Sequence, residues 1–137
     1  MPVIEDDDRL REILSRARTI AVVGLSANPW RDSHSVSAYM LSRGYSIIPV
    51  NPHIESVFGI KAVPSLSAIS TSVDIVNVFR RPEHVPGIVD EALARGVPTL
   101  WLQTGIIHPE ATSRASNAGM NVIVDSCIRV VCSLLLR

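Results

Sequence analysis

The sequence has no net charge: thirteen Lys and Arg balance thirteen Asp and Glu over 137 residues, and the isoelectric point is about 6.9. Without a basic field to hold a phosphodiester backbone, nucleic acid is not an expected partner. Cysteine is scarce too. Cys127 and Cys132 stand alone, which is neither a disulfide framework nor a zinc pattern, so a reduced, cytoplasmic setting is expected. Met1 to Arg11 is acidic and lacks a signal-peptide core. No apolar run approaches the roughly 20 residues of a membrane span, so no membrane partner is expected. The four histidines, His34, His53, His84 and His108, show no metal-ligand spacing, and no metal site is expected. Lysine is nearly missing: Lys61 is the only one beside twelve arginines. Arginine's planar fork suits phosphate.

Hydrophobic residues make up 47% and mean hydropathy is +0.27, enough for one core at this length. The expected organisation is a single domain over 1–137, with a leading helix in 1–18, an α/β core in 19–127 and an apolar tail in 128–137. The tail packs either on the body or on a second subunit, leaving monomer and homodimer open. Leu10, Ile13, Leu14 and Ala17 lie on one helical face, and Asp6, Asp7 and Asp8 stand where a helix N-terminus favours negative charge.

Five apolar, β-rich runs follow at Thr19–Gly24, Tyr45–Val50, Val73–Phe79, Val97–Gln103 and Asn121–Asp125. Their starts lie about 24 to 28 residues apart, a βαβ period. Helical patterns at Ser33–Arg43, Pro82–Arg95 and Pro109–Ala118 each stop at a glycine, Gly44, Gly96 or Gly119. His53–Ser72 is irregular, with one helical turn near Ser65–Ile69, so the second crossover is expected to be reduced. The expected fold is three-layer and Rossmann-like: a five-stranded parallel sheet in the order 3-2-1-4-5 with helices on both faces and right-handed crossovers.

In such a sheet the strand ends carry the ligand crevice. The first holds Gly24-Leu25-Ser26-Ala27-Asn28-Pro29, which keeps one glycine of a dinucleotide fingerprint. Pro29 lengthens the loop to about Ser33, and Ser26, Asn28 and Arg31 can supply a donor nest and a cation to a diphosphate. A plain turn with a Ser-capped helix is the alternative. The second ends in Asn51-Pro52-His53, without the carboxylate that an NAD ribose requires; a strand-ending turn and ligand contact are the two readings of this segment. Phe79-Arg80-Arg81-Pro82-Glu83 brings two guanidiniums and a helix start to the crevice, unless the pair is a solvated one balanced by Glu83. Leu102-Gln103-Thr104-Gly105 offers an amide and a glycine for close approach by a thin ligand arm, with Trp101 in the core. Asp125-Ser126-Cys127 closes the set. Cys127 either faces the crevice or is structural. Gly24 to Asn28 imitates a nucleophile elbow but lacks the final glycine, and no catalytic residue is assigned.

Taken together these segments resemble the stand-alone CoA-binding domain family, whose fold also forms the CoA-binding domain of the succinyl-CoA synthetase alpha subunit. The resemblance runs from about Thr19 to Cys127. It implies that Ser26 to Pro29 with Arg31 hold the pyrophosphate, that Asn51 to His53 and Phe79 to Arg81 hold the adenosine and its phosphates, and that Leu102 to Gly105 line the pantetheine path; Gly24 and Cys127 join these as candidate contacts from their own strand ends. Two positions depart from the family. Asp32 stands where many relatives have Pro, and Ser126 where many have Arg, adding an anion and removing a cation. The expected function is non-catalytic, regulatory binding of coenzyme A or an acyl-CoA. The alternatives are an NADP-type nucleotide enzyme, whose cofactor phosphate the Arg pair also satisfies, and a ligand-free interaction module.

Overall fold

The computed structural model describes residues 3–136. Asp6 caps the first helix, α1 (Asp7–Arg16), its carboxylate accepting from the Arg9 amide at 3.1 Å. Asp7 and Asp8 sit in the first turn, and Leu10, Ile13 and Leu14 are buried. The chain continues through β1 (Thr19–Val23), α2 (Asp32–Ser42), β2 (Ser46–Val50), a hairpin of β3 (Ser56–Val57) and β4 (Ile60–Lys61), and β5 (Ile75–Val78). It ends with α3 (Val85–Ala94), β6 (Thr99–Leu102), α4 (Pro109–Asn117), β7 (Asn121–Ile123) and α5 (Ile128–Leu135).

The main sheet is parallel throughout, in the order β2-β1-β5-β6-β7. Successive strand residues point to opposite faces, and both faces are covered. Ala21, Val23, Val76, Val78, Leu100 and Leu102 pack with buried residues of α3 and α4. Ile20, Val22, Ile75, Trp101 and Ile123 pack with α1, α2 and α5. This is the expected three-layer α/β architecture.

The strand order needs correction. Numbering only the five expected strands, the sheet reads 2-1-3-4-5, not 3-2-1-4-5. The place outside β2 is taken by a single parallel bridge between Val50 and Val63, in which Asn51 N donates to Val63 O and Val63 N to Pro49 O, both at 2.9 Å. Pro64 has no amide with which to continue that ladder, so this outer strand ends at one residue and leaves no apolar run to read. Counting Val63 as a vestigial third strand restores the 3-2-1-4-5-6 order of dinucleotide-binding sheets. The order reverses between β1 and β5, which places the crevice at their carboxyl ends.

The crossover from β2 to β5 is reduced, as expected, to the hairpin and a 3-10 turn at Leu66–Ala68. Phe58 and Gly59, with φ of 57° and 73°, turn the hairpin as a two-residue loop with both centres left-handed. The apolar tail packs on the body: α5 buries Ile128 and Cys132 among α1 and α2, and Arg11 and Arg43 donate to the Leu135 and Leu136 carbonyls at its end. The remainder of the tail, Arg137, lies outside the described residues, as do Met1 and Pro2.

Candidate functional site

Gly24 ends β1 with φ of +89°, and a Cβ there would lie 2.5 Å from the Phe79 carbonyl oxygen. Only glycine permits that approach. It brings the loop after β1 against the loop after β5, where Phe79 N donates to Val23 O at 2.9 Å, while Gly24 N donates to Val50 O at 2.9 Å and ties the same strand end to β2. The loop beyond is organised by its own side chains. Ser26 Oγ accepts from Asn28 N, and Asn28 Oδ1 from Trp30 N, both at 3.0 Å. Ser33 does not cap α2; its Oγ accepts from Ser26 N at 3.0 Å. The helix starts at Asp32 with no side-chain cap, leaving its first amides without an intrahelical partner.

Beside this loop lies a polar cleft of about 490 Å³, lined by Gly24, Ser26, Arg31, Asn51, His53, Phe79 and Arg80 together with Asp32 and Ser33. Asn51 does not offer a free side chain. Its amide donates to Leu25 O at 3.0 Å and its Oδ1 accepts from His53 N at 2.9 Å, so it braces the second strand end against the first. Pro52 lies outside this cleft and borders a third hollow, of about 280 Å³, with Arg80 and His84.

After β5, Arg81 occupies the N-cap position of a 3-10 turn, Pro82–His84, without a side-chain cap bond, and the turn precedes α3. Arg80 is half-buried and Arg81 exposed. Arg80 lies 3.0 Å from His84 Nε2. Among the described residues no ion pair involves Arg31, Arg80, Arg81 or Arg129, and Glu83 balances neither of the pair. Guanidiniums outside any ion pair, beside an α2 start without a side-chain cap, form an anion-attracting surface whose one lining carboxylate is Asp32.

The polar cleft shares Asp32, Phe79 and Arg80 with a second cavity of about 720 Å³. Its wall includes Val36, Ile106 and Val130 as well as Arg81, Gln103, Thr104 and Cys127. Gln103 is 5% exposed; its Oε1 accepts from Ile128 N at 3.0 Å and so caps α5. Its amide nitrogen hydrogen-bonds to no described residue. Cys127 is half-buried at the N-cap of α5. Asp125, at φ of 54°, accepts from Gly105 N at 2.6 Å, joining the last two strand ends.

Not every candidate residue reaches these cavities. Leu102 is fully buried in the layer beneath α3 and α4, so its side chain belongs to the core. Gly105 lines neither cavity, and a Cβ there would meet open space; its glycine answers to φ of +83°, not to close approach. Ala27, Asn28 and Pro29 are exposed on the loop outside the lining. Trp101 is in the core, its Nε1 donating to Ser126 O at 2.8 Å. Two histidines have other partners: His34 packs on Phe58 with ring centroids 4.5 Å apart and the planes tilted by 46°, and His108 Nδ1 accepts from Ala111 N. No group of three or more possible ligands for a metal ion occurs among the described residues, and no helix there is long and apolar enough to cross a membrane.

Comparison with known proteins decides the family. The model of the CoA binding domain matches residues 18–133. The chain belongs to the CoA-binding domain family. An uncharacterised relative, YneT of Bacillus subtilis (strain 168), is 50% identical over 121 residues, covering 88% of this chain and 90% of that protein. A hypothetical protein from Pyrococcus horikoshii OT3 has a solved structure with a TM-score of 0.95 at 34% identity, over 100% of this chain and 98% of that one. The dinucleotide-forming acetyl-coenzyme A synthetase 1 of Ca. Korarchaeum cryptofilum contains a similar region, with a TM-score of 0.70 at 26% identity; the match covers 81% of this chain and 26% of that one.

Within this CoA-binding domain the sequence reading missed Ser35, Val36, Ile106 and Val130 of the second cavity's wall and one charged residue. Arg129 lines the second cavity and lies 5.3 Å over the Tyr39 ring. Ser126 leaves that strand end without a cation, and Arg129, in the first turn of α5, returns one. The signal was readable only as an Arg inside an apolar tail.

Proposed function

We propose that the protein binds coenzyme A or an acyl-CoA at the carboxyl ends of β1 and β5, as a regulatory binder and not as a catalyst. The observation that carries this reading is the continuity of two unlike cavities at Asp32, Phe79 and Arg80. CoA is built the same way, with a charged nucleotide diphosphate joined to a long, mostly apolar arm that bears two amides. In this reading the loop after β1 with Arg31 takes the pyrophosphate, and Arg80 and Arg81 take the 3'-phosphate. Pantetheine runs past Gln103 and Thr104 toward Cys127. The family match supports CoA as the ligand, as does the similar region within an acetyl-coenzyme A synthetase. NAD is disfavoured because Asn51, committed to Leu25 and His53, stands where a ribose-binding carboxylate is needed.

The test is to purify the protein under native conditions and identify any co-purifying small molecule by mass spectrometry. CoA or a CoA thioester supports the reading. NADP, or the protein's failure to bind added CoA, refutes it.

A further inference from the structure

The last strand end holds a thiol at the far end of the pantetheine path, to which the binding reading gives no chemistry. Cys132 is fully buried, whereas Cys127 is half-buried and lines the second cavity. Its place is fixed: Asp125 is tied to Gly105 N, and the Ser126 carbonyl is held by the Trp101 indole. The same cavity contains Gln103, which is 95% buried by its 5% exposure, with its oxygen engaged by Ile128 N and its NH₂ hydrogen-bonded to no described residue. That donor keeps access to the cavity, since the buried side-chain atoms without a partner among the described residues are Ser37 Oγ and Asn77 Oδ1, and it is free to meet a carbonyl of a ligand arm. The cavity therefore combines an accessible thiol, an unfilled amide donor and a direct opening into the cationic cleft.

Building on the CoA reading, we propose that Cys127 is a redox-controlled covalent anchor for the ligand, forming a mixed disulfide with the CoA sulfur. The co-reactant is a disulfide of the ligand itself. The Cys127 thiolate attacks one sulfur of CoA disulfide, the S–S bond breaks, and a CoA thiolate leaves and takes a proton from water. The Cys127–S–S–CoA bond forms with no net electron change. A small thiol reverses it by the same exchange. Docking of the nucleotide in the cleft raises the local concentration of the disulfide at Cys127, which distinguishes this step from indiscriminate thiol chemistry.

The experiment treats the full chain with CoA disulfide, or separately with glutathione disulfide, and follows intact mass over time. One CoA unit per chain is expected, retained in Cys132→Ser, absent in Cys127→Ser and released by dithiothreitol. The reaction should run roughly tenfold or more faster than with glutathione disulfide, and Arg31→Ala should slow the CoA reaction while leaving the glutathione one unchanged. Equal rates for the two disulfides, an adduct on Cys132, or no adduct overturns the anchor. Calorimetry with desulfo-CoA, which has no thiol, separates the two failures. If desulfo-CoA binds and no adduct forms, the anchor is wrong and the CoA reading stands; if it does not bind, both fall.

Discussion

Replacing Arg80 and Arg81 together with alanine tests how the site distinguishes CoA from its nearest analogue. The two residues differ in environment. Arg80 is half-buried between the three hollows, its nearest polar contact being His84, and Arg81 is exposed. A hydrogen bond to a charged group contributes about 1.5–3 kcal/mol where it is shielded, while an exposed ion pair contributes about 0–1 kcal/mol. Arg80 should therefore carry most of the effect. A 3'-phosphate held this way gives CoA a preference over dephospho-CoA of roughly tenfold or more, because every 1.4 kcal/mol is about tenfold. The double variant should lose most of that preference and bind dephospho-CoA almost as the parent does, since the pyrophosphate is assigned to the loop from Ser26 to Arg31. Neither arginine is in an ion pair among the described residues, so stability should change by less than about 1 kcal/mol. Calorimetric titration of both proteins with CoA, dephospho-CoA and NADP is the assay. Equal affinity of the parent for CoA and dephospho-CoA refutes the reasoning, as does tighter binding of NADP or a uniform loss for all three ligands in the variant.

Gly24→Ala forces a Cβ to within 2.5 Å of the Phe79 oxygen at a positive φ; urea unfolding should show a loss of about 2 kcal/mol or more, and CoA affinity should fall with it. Tyr45, whose hydroxyl donates to the Leu14 carbonyl, has its pKa pushed up to about 12 by burial and then by the neighbouring Cys132. The unfolded chain releases that proton near pH 10 and the folded chain only near 12, so stability present below pH 10 declines between these values. Tyr45→Phe should flatten that decline in unfolding curves measured across the window. Acetyl-CoA or succinyl-CoA incubated with the protein should keep its thioester at the background rate, followed by thiol release; faster loss contradicts a binding role.

The fold was legible where periodic apolar runs met capping residues. Asp6 to Asp8 announced α1, and the glycines at 44, 96 and 119 marked three helix ends. Val63 was not legible, because one bridged residue before a proline leaves no pattern, and missing it displaced the strand order. The candidate site was legible at the level of strand ends, since parallel topology alone brings those segments to one edge. Individual side chains were harder to read. Asn51 and Gln103 look like ligand groups in sequence, yet long-range bonds to Leu25 and Ile128 occupy part of each. Leu102 sits one residue before the edge and falls into the core, because side-chain direction alternates along a strand. Arg129 was hidden in an apolar tail until α5 was placed against the cavity.

The central claim, that CoA occupies the joined cavities at the ends of β1 and β5, is tested most directly by titrating isotope-labelled protein with CoA and mapping amide shifts by NMR. The account predicts perturbation concentrated at Gly24 to Ser33, Asn51 to His53, Phe79 to Arg81, Gln103 to Ile106 and Cys127 to Val130. Little should change at the opposite sheet end, where Arg9, Asp74, Thr99 and Asn121 line a separate hollow. Shifts centred on that opposite end, or none at saturating CoA, would contradict it.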